Sequence, residues 1–521
     1  MTEIAGAASA GQSSVERPVL PIRALQAVAG LFLALKLVVL ASAGIFVDEA
    51  YYWIWGQHPA LSYYDHPPLS AWLQGLSSLI FGWDVAGVRA MVLLALLGDI
   101  FVLWLFARRL PAAQRQSYFW ITLVVFLATP MFFSATGFAL PDHLLVLCCL
   151  ASIYGFTRFF ESRSGSDAGA YRWLYLGALF LGLAGLCKYN AALLGVGITA
   201  YVVGSAATRP LLRNPQLYLA ALLAIVMQAP VLIWNIETHF ASFSFLVGNE
   251  HFIADNGYSP MISVNGVLGY IGGAVVFLSP FLLVPLYRYV FAPADHGDGA
   301  AGLGRAVFIV STLAIFAAAL RTNVLFHWNL IAYLAFLPFI APWLRTRWLV
   351  WAQIIYGLTF AILVAINFSV VPVLAPVGKA DQTSSWSYGW DEVAAHVLAA
   401  KQAHNAQFIA ATNFSIAGCL AFALKDANVT SLNSVMDQFD FWFVPEDHAG
   451  EDAIFIADPH WRPLNDAFRA RFASVTLLET LPIMRLGFHI GDEEIYLGQG
   501  FSGKAIYDIP RTVLPAAAKP S

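Results

Sequence analysis

Long apolar runs recur along the first two thirds of the chain, and they restrict the fold more than any other feature. Runs of about 17 to 25 mostly apolar residues, enough to cross roughly 30 Å of hydrocarbon as a helix, follow one another from residue 23 to residue 373. Hydrophobic residues make up 59% of the 521 residues and charged residues only 12%, a composition that excludes a soluble protein. The sequence therefore predicts a polytopic α-helical membrane protein with about eleven transmembrane helices.

The pattern changes near residue 376. From Lys379 onwards charged residues, Asn and Gln return, and the apolar segments shrink to strand length, as in FIAATN, DAIFIAD and EIYLGQG. We expect a cytoplasmic tail at 1–22, a transmembrane domain at 23–375 and an α/β domain with a small doubly wound sheet at 376–521. The net charge of −4 offers no basic surface for nucleic acid.

Lys and Arg are distributed unevenly between alternate loops. One set of loops contains most of the arginines, so the positive-inside rule assigns that set to the cytoplasm. The opposite set, here called the outer face, includes the predicted loops 45–84 and 237–262 and the α/β domain. Its acids and histidines are Asp48, Glu49, His58, Asp65, His66, Asp84, Asp142, His143, Glu237, His239, Glu250, His251, Asp255 and His327. Polar function is therefore expected at the outer face.

Asp48 and Glu49 directly follow the first apolar run. Acids are unfavourable at the carboxyl end of a helix dipole and costly at the membrane, which favours a functional role over a solvated loop. The stretch YYWIWG after them suits a short helix at the level of the lipid headgroups, and membrane anchoring is the favoured interpretation of its aromatic residues.

Two further motifs add carboxylates at the outer face. In YYDHPPL two prolines fix the backbone beside Asp65 and His66, although an ordinary turn explains this composition equally well. In LPDHLL, Pro141 and Asp142 begin a span, as they also would in ordinary helix initiation.

A divalent metal ion is a candidate cofactor. His239, Glu250 and His251, together with Asp65, offer nitrogen and oxygen ligands, and a merely polar loop is the alternative. Four cysteines without metal-binding spacing, three of them inside predicted spans, imply neither a zinc ribbon nor a disulfide framework.

The order of the motifs resembles that of a known family. Asp-Glu after the first span is followed by the aromatic stretch, YYDHPPL, Leu-Pro-Asp, GLCKYN and PVLIWN, and DQFDFW lies in the α/β domain. This series resembles the bacterial branch of the dolichyl-phosphate-mannose protein mannosyltransferase superfamily, which includes aminoarabinose transferases of lipid A and galacturonic acid transferases of lipopolysaccharide. The resemblance implies a GT-C glycosyltransferase of the bacterial inner membrane. Its active site and C-terminal domain would face the periplasm, and its donor would be a polyprenyl-phosphate-linked sugar.

The resemblance also assigns roles to residues. Asp48 takes the position of the family's catalytic acid, with Glu49 beside it, and Asp142 takes that of the second acid. Asp65 and His66 replace the Glu-Lys pair of the aminoarabinose transferases, so His66 can meet a lipid phosphate only as a cation or a hydrogen-bond donor.

The chemistry of such a donor sets further expectations. Polyprenyl phosphate is a good leaving group, so the enzyme needs a base for the acceptor hydroxyl and cations for the phosphate. We predict Asp48 as the base, with inversion in one step. Lys188, Arg321 and His327 join His66 as candidate phosphate-binding residues, and snorkelling to the interface is the alternative for Lys188 and Arg321.

Other functions stay open at this point. The acceptor could be lipid A, the lipopolysaccharide core, another glycan or a protein hydroxyl, the last being the substrate of a protein O-mannosyltransferase. A secondary transporter would place ionisable residues near the membrane midplane on broken helices, whereas these cluster at one surface. A flippase of a lipid-linked substrate would tolerate neutralisation of Asp48.

Overall fold

The computed structural model describes residues 19–162, 168–247, 263–292 and 299–509. Helices dominate up to residue 369. They are α1 (Ile22–Ser42), α2 (Val47–Gln57), α3 (Leu69–Phe81), α4 (Val85–Arg108), α5 (Ala112–Ala128), α6 (Pro130–Ala135), α7 (Pro141–Glu161), α8 (Ala168–Cys187), α9 (Ala192–Gly204), α10 (Pro215–Val226), α11 (Ala229–Glu237), α12 (Ala241–Val247), α13 (Val264–Leu278), α14 (Pro280–Val290), α15 (Gly299–Ala319), α16 (Leu330–Phe336) and α17 (Arg347–Ser369).

The membrane protein predicted from the apolar runs is confirmed by the long apolar helices. Within the described ranges, six helices are long and apolar enough to cross a bilayer, namely α1, α4, α7, most of α8, most of α15, and α17. The count rises to eight if α10 with α11 and α13 with α14, bent by 44° and 101°, each form one span. Shorter apolar helices lie at two of the other predicted spans, Tyr189–Gly204 and Phe326–Phe339, so the count of about eleven stays a prediction.

Small residues let the helices approach closely around α7, the most buried of the long helices. A Cβ on Gly155 of α7 would lie 2.7 Å from the backbone of Gly177 in α8, and one on Gly357 of α17 would lie 2.0 Å from the carbonyl oxygen of Ala128 in α5. Larger side chains at these glycines would force the helices apart. The contact at Gly155 thus holds α7, whose first turn contains Asp142, against α8.

An α/β domain follows the last long helix. Its elements are α18 (Gln382–Ser385), α19 (Trp390–His404), β1 (Phe408–Ala411), α20 (Phe414–Leu424), β2 (Thr430–Ser431), β3 (Ala453–Ala457), α21 (Asp466–Arg469), β4 (Phe472–Arg485) and β5 (Phe488–Phe501). The α/β class predicted for this region is confirmed, and the helices and strands quoted from its sequence lie where they were expected.

The sheet is mixed: its half β2-β1-β3 is parallel with a neighbour on each side of β1, as in the predicted doubly wound sheet, whereas the antiparallel hairpin of β4 and β5 was not predicted. The strand order is β2-β1-β3-β5-β4, in which β1 runs parallel to β2 and β3, while β5 pairs antiparallel with both β3 and β4. Leu486 and Gly487 both have positive φ, at 50° and 81°, which produces the tight turn of a long β-hairpin.

The α/β domain covers α2, and this overturns the interpretation of YYWIWG as a membrane anchor. Tyr51, Trp53 and Trp55 are at most 1% exposed. The ring of Tyr51 packs against Phe414 of α20 and Phe439, at centroid distances of 4.7 and 5.8 Å. The aromatic side chains thus meet protein instead of lipid headgroups.

The helix that does expose an apolar face in this loop is α3. Leu76, Leu79, Ile80 and Phe81 are exposed, and Leu79 is 85% exposed. An amphipathic surface of this kind suits contact with the bilayer.

Candidate active site

Asp48, in the first turn of α2, faces an ion pair formed by two other elements. Lys188 Nζ, just beyond α8, lies 2.9 and 3.1 Å from the two carboxylate oxygens of Asp142, in the first turn of α7. Asp142 and Lys188 are buried, whereas Asp48 is partly exposed. The site therefore has one accessible carboxylate beside a neutralised pair.

The surroundings of Asp48 tune its acidity. Burial raises the pKa of this carboxyl group to about 6; the positive charge of Lys188 opposes the rise, and the negative charges of Asp142 and Glu49 add to it. A carboxylate with a pKa near neutrality is a stronger base than an ordinary surface Asp and is still ionised at physiological pH. Asp48 thus has the properties required of a general base.

Asp65 joins the same cluster from the loop before α3. It interacts electrostatically with Asp48 and accepts a hydrogen bond from the hydroxyl of Tyr51. Burial raises its pKa to about 7, the hydrogen bond from Tyr51 lowers it, and the charge of Asp48 raises it further. Two carboxyl groups with raised pKa values therefore lie side by side.

The two predicted phosphate-binding histidines, His66 and His327, lie near this cluster. Both rings are close enough to Asp142 to interact with it electrostatically, and both side chains are partly exposed. The ring of His66 packs beside Tyr52 at a centroid distance of 5.6 Å. Lys188, His66 and His327 thus place nitrogen donors around Asp142, and their contact with phosphate stays a prediction.

Glu49 points away from the cluster, which argues against the catalytic role predicted for it. It is fully buried and accepts four hydrogen bonds: from Arg89 Nε at 3.0 Å and Nη2 at 2.7 Å, from the Phe46 amide at 3.0 Å and from the Ala139 amide at 2.7 Å. A carboxylate occupied in this way is not available to take a substrate proton. Its position fits an anchor of α2 against the membrane helices.

The predicted metal site is not formed by the described part of the chain. Among those residues, no three His, Cys, Asp or Glu side chains are grouped so that they could hold a metal ion. His239 is exposed, and Glu250 and His251 lie outside the described residues. Asp65 instead accepts a hydrogen bond from Tyr51. Arg321 is exposed beyond the end of α15, and its contact with phosphate stays a prediction.

Sequence reasoning missed Arg89, Tyr51 and Gln438. Arg89 lies in the first two turns of a mostly apolar helix, a position at which an arginine requires a partner, so its pairing was detectable in principle. Tyr51 is one of several neighbouring aromatic residues, so nothing in the sequence distinguishes it from the others. Gln438 is distant in sequence from the motifs that it contacts. The contacts of these two residues depend on how the α/β domain docks.

A separate cavity of about 420 Å³ lies between the membrane helices and the α/β domain. It is lined by the end of α1, the start of α4 and the Ser387–Asp391 segment. None of the predicted site residues lines it.

Fold and site together define a polytopic membrane protein with an acidic, partly buried site beneath an α/β domain. The chain superposes on the crystal structure of ArnT from Cupriavidus metallidurans bound to undecaprenyl phosphate with a TM-score of 0.60, over 92% of this chain and 98% of that one, at 16% identity. The GT-C fold implied by the motif order is thereby confirmed. Residues 65–234, about a third of the chain, match the family described as dolichyl-phosphate-mannose-protein mannosyltransferase.

Two curated relatives align with parts of the chain. A lipid A galacturonosyltransferase from Rhizobium johnstonii is 27% identical over 198 residues, or 37% of this chain and 38% of that protein. An undecaprenyl phosphate-α-4-amino-4-deoxy-L-arabinose arabinosyl transferase from Shewanella sediminis is 28% identical over 141 residues, or 27% of this chain and 25% of that protein. The alignments thus span well under two thirds of either relative.

Proposed function

We propose that this protein is a glycosyltransferase that moves a sugar from a polyprenyl-phosphate-linked donor to an acceptor of the bacterial envelope. The observation that carries the proposal is the partly exposed Asp48, with its raised pKa, beside the Asp142–Lys188 pair. The named activities of the two relatives, and the undecaprenyl phosphate bound by ArnT, support this substrate class. Lipid A is the acceptor to test first.

The site supports a single displacement. The ionised Asp48 accepts the proton of an acceptor hydroxyl while the oxygen attacks the anomeric carbon of the donor sugar. The bond from that carbon to the phosphate oxygen breaks, and the polyprenyl phosphate leaves with the electron pair. Lys188, His66 and His327 supply the donors that stabilise the departing phosphate. Attack opposite the leaving group inverts the anomeric configuration.

The orientation in the membrane follows from the charges of the loops. The arginine-rich loops lie on the side opposite the acidic site, so the positive-inside rule directs the site and the α/β domain to the periplasm. Envelope glycolipids are accessible from that side, which agrees with the proposed acceptor.

A reconstituted assay tests the function. The purified protein is placed in phosphatidylethanolamine and phosphatidylglycerol vesicles with lipid A and either undecaprenyl-phosphate aminoarabinose or polyprenyl-phosphate galacturonic acid. We expect mass spectrometry to detect sugar-modified lipid A together with free polyprenyl phosphate. Movement of the intact donor across the bilayer without release of polyprenyl phosphate would instead identify a flippase.

The pH dependence of the transfer should follow Asp48. The base works only when ionised, and its pKa is about 6. We therefore expect kcat/KM, which reports the free enzyme, to fall about tenfold per pH unit below that value and to level off above it. A rate that is constant from pH 5 to 8 would contradict the assignment.

Replacement of Lys188 by Gln tests whether ionisation of Asp48 sets the midpoint of the pH profile. The positive charge of Lys188 lowers the pKa of Asp48, so its removal should move the midpoint of the pH profile to higher pH. Loss of Lys188 could also let Asp142 become protonated, which would lower the pKa of Asp48. The effect of Lys188 on the pKa of Asp48 is larger than that of Asp142, so the midpoint should still move to higher pH. The matched control, Lys504→Gln at an exposed site, should leave the midpoint unchanged.

A further inference from the structure

One residue of the α/β domain reaches into the candidate site. Gln438 belongs to the DQFDFW segment, whose residues Gln438–Phe441 form a short 3-10 helix, and it is 1% exposed. Its side-chain Oε1 accepts a hydrogen bond from the backbone amide of Tyr64 at 2.6 Å, and its own backbone amide donates to the hydroxyl of Tyr51 at 3.0 Å. A single residue thus contacts both segments that carry the acids of the site.

The direction of these bonds is fixed by chemistry. A backbone amide can only donate, so the hydroxyl oxygen of Tyr51 is the acceptor toward Gln438. The hydroxyl proton of Tyr51 then remains for Asp65, with which it forms a hydrogen bond. Tyr64 immediately precedes Asp65, so Gln438 holds Asp65 both through the backbone and through Tyr51.

The segment that presents Gln438 is itself rigidly built. Asp437 accepts from the Phe439 amide at 2.9 Å, and Asp440 accepts from the Asp437 amide at 2.9 Å, which forms a capping box around the turn. Phe441 packs on Tyr64 at a centroid distance of 5.7 Å. The polar contacts of Gln438 are therefore made from a preorganised support.

We propose that Gln438 is a positioning residue that sets Asp65 against Asp48, so that the α/β domain completes the active site. This inference rests on the proposed function. It explains why α2 and the loop before α3 are covered by protein, and why a domain without a nucleotide-binding fingerprint accompanies the membrane helices. The groups that act on Asp65 come from every surrounding element: Asp48, Tyr51, Tyr52, Tyr189 and Asp437.

The first test needs no catalytic assay. Gln438→Met keeps the length of the side chain but removes the acceptor for the Tyr64 amide. Hydrogen–deuterium exchange of the full-length protein should then be up to about tenfold faster in peptides covering residues 63–66, because one hydrogen bond is lost. The matched control is Gln407→Met, since Gln407 Oε1 accepts from the Asp452 amide at 2.8 Å elsewhere in the same domain. Unchanged exchange at 63–66 in Gln438→Met would overturn the proposal.

The second test separates positioning from folding. Gln438→Met should lower kcat/KM about tenfold, and Gln438→Glu, which retains an acceptor oxygen, should recover part of the loss. Tyr51→Phe removes the hydrogen bond through which Gln438 holds the carboxylate of Asp65, so it should also lower kcat/KM, while the midpoint of the pH profile, which belongs to Asp48, stays near its wild-type value. If the wild type transfers sugar and these variants match it in rate, the inference fails and the proposed function stands. If the wild type transfers no sugar, the function fails, and the exchange experiment still decides the role of Gln438.

Discussion

Replacement of Asp48 by Asn is expected to slow sugar transfer by a factor of about 10² to 10⁴, the usual contribution of a general base. Asn is nearly isosteric with Asp but cannot accept the proton of the acceptor hydroxyl. Burial already disfavours an ionised Asp48, more strongly than the charge of Lys188 favours it, so a neutral side chain at this position should not destabilise the fold. The measurement is single-turnover transfer in reconstituted vesicles, together with the melting temperature of each variant.

Two comparisons make this result specific. Asp447→Asn, which neutralises an exposed acid of the α/β domain, should transfer sugar at the wild-type rate. Binding of undecaprenyl phosphate to Asp48→Asn should persist, because the base acts on the acceptor and not on the phosphate. Wild-type turnover in Asp48→Asn would remove Asp48 from the mechanism, and a lower melting temperature would indicate a structural role instead.

The accessible acid of the site could be predicted from sequence because its motifs lie at helix ends. Asp48, Asp65, Asp142 and Lys188 each adjoin a span or its loop, and alternation of the loops places all four at one face. The different roles of Asp48 and Glu49 could not be predicted from sequence in this way. Successive residues of a helix point about 100° apart, so one faces the Asp142–Lys188 pair while the other faces Arg89. Only the tertiary contacts of α2, with Arg89 of α4 on one side and the Asp142–Lys188 pair on the other, decide which residue has which role.

The errors in the fold have similar physical causes. Tyr and Trp rings suit both the lipid headgroup region and a buried domain interface, so YYWIWG alone does not reveal which one covers it. The helices and parallel strands of the α/β domain were evident because they are short and apolar. The hairpin strand β4 is largely exposed and lacks a Gly-Pro or Asn-Gly turn signal, so its antiparallel pairing was not anticipated.

Replacement of Glu49 by Ala is expected to destabilise the protein by about 3–5 kcal/mol, because it leaves a buried arginine without its counter-charge. Arg89 and Glu49 are 3% and 0% exposed and lie 2.7 Å apart. Arg89 also donates to the carbonyl oxygens of Ala43 at 2.9 Å and Gly44 at 2.7 Å, which closes the end of α1. The pair therefore connects α1, α2 and α4, and the bond from Ala139 extends the network to the start of α7.

The protein contains its own control for this effect. Arg109 and Glu161 form an ion pair at the carboxyl ends of α4 and α7, and Glu161 is 38% exposed. Loss of such a surface pair costs about 0–1 kcal/mol. Melting temperatures of Glu49→Ala and Glu161→Ala in the same detergent should thus differ clearly, with Glu49→Ala the lower. Equal melting temperatures would show that the buried pair does not hold α2 in place. Because α2 carries Asp48 and α7 carries Asp142, Glu49→Ala should lose activity together with stability, whereas Asp48→Asn should lose activity alone.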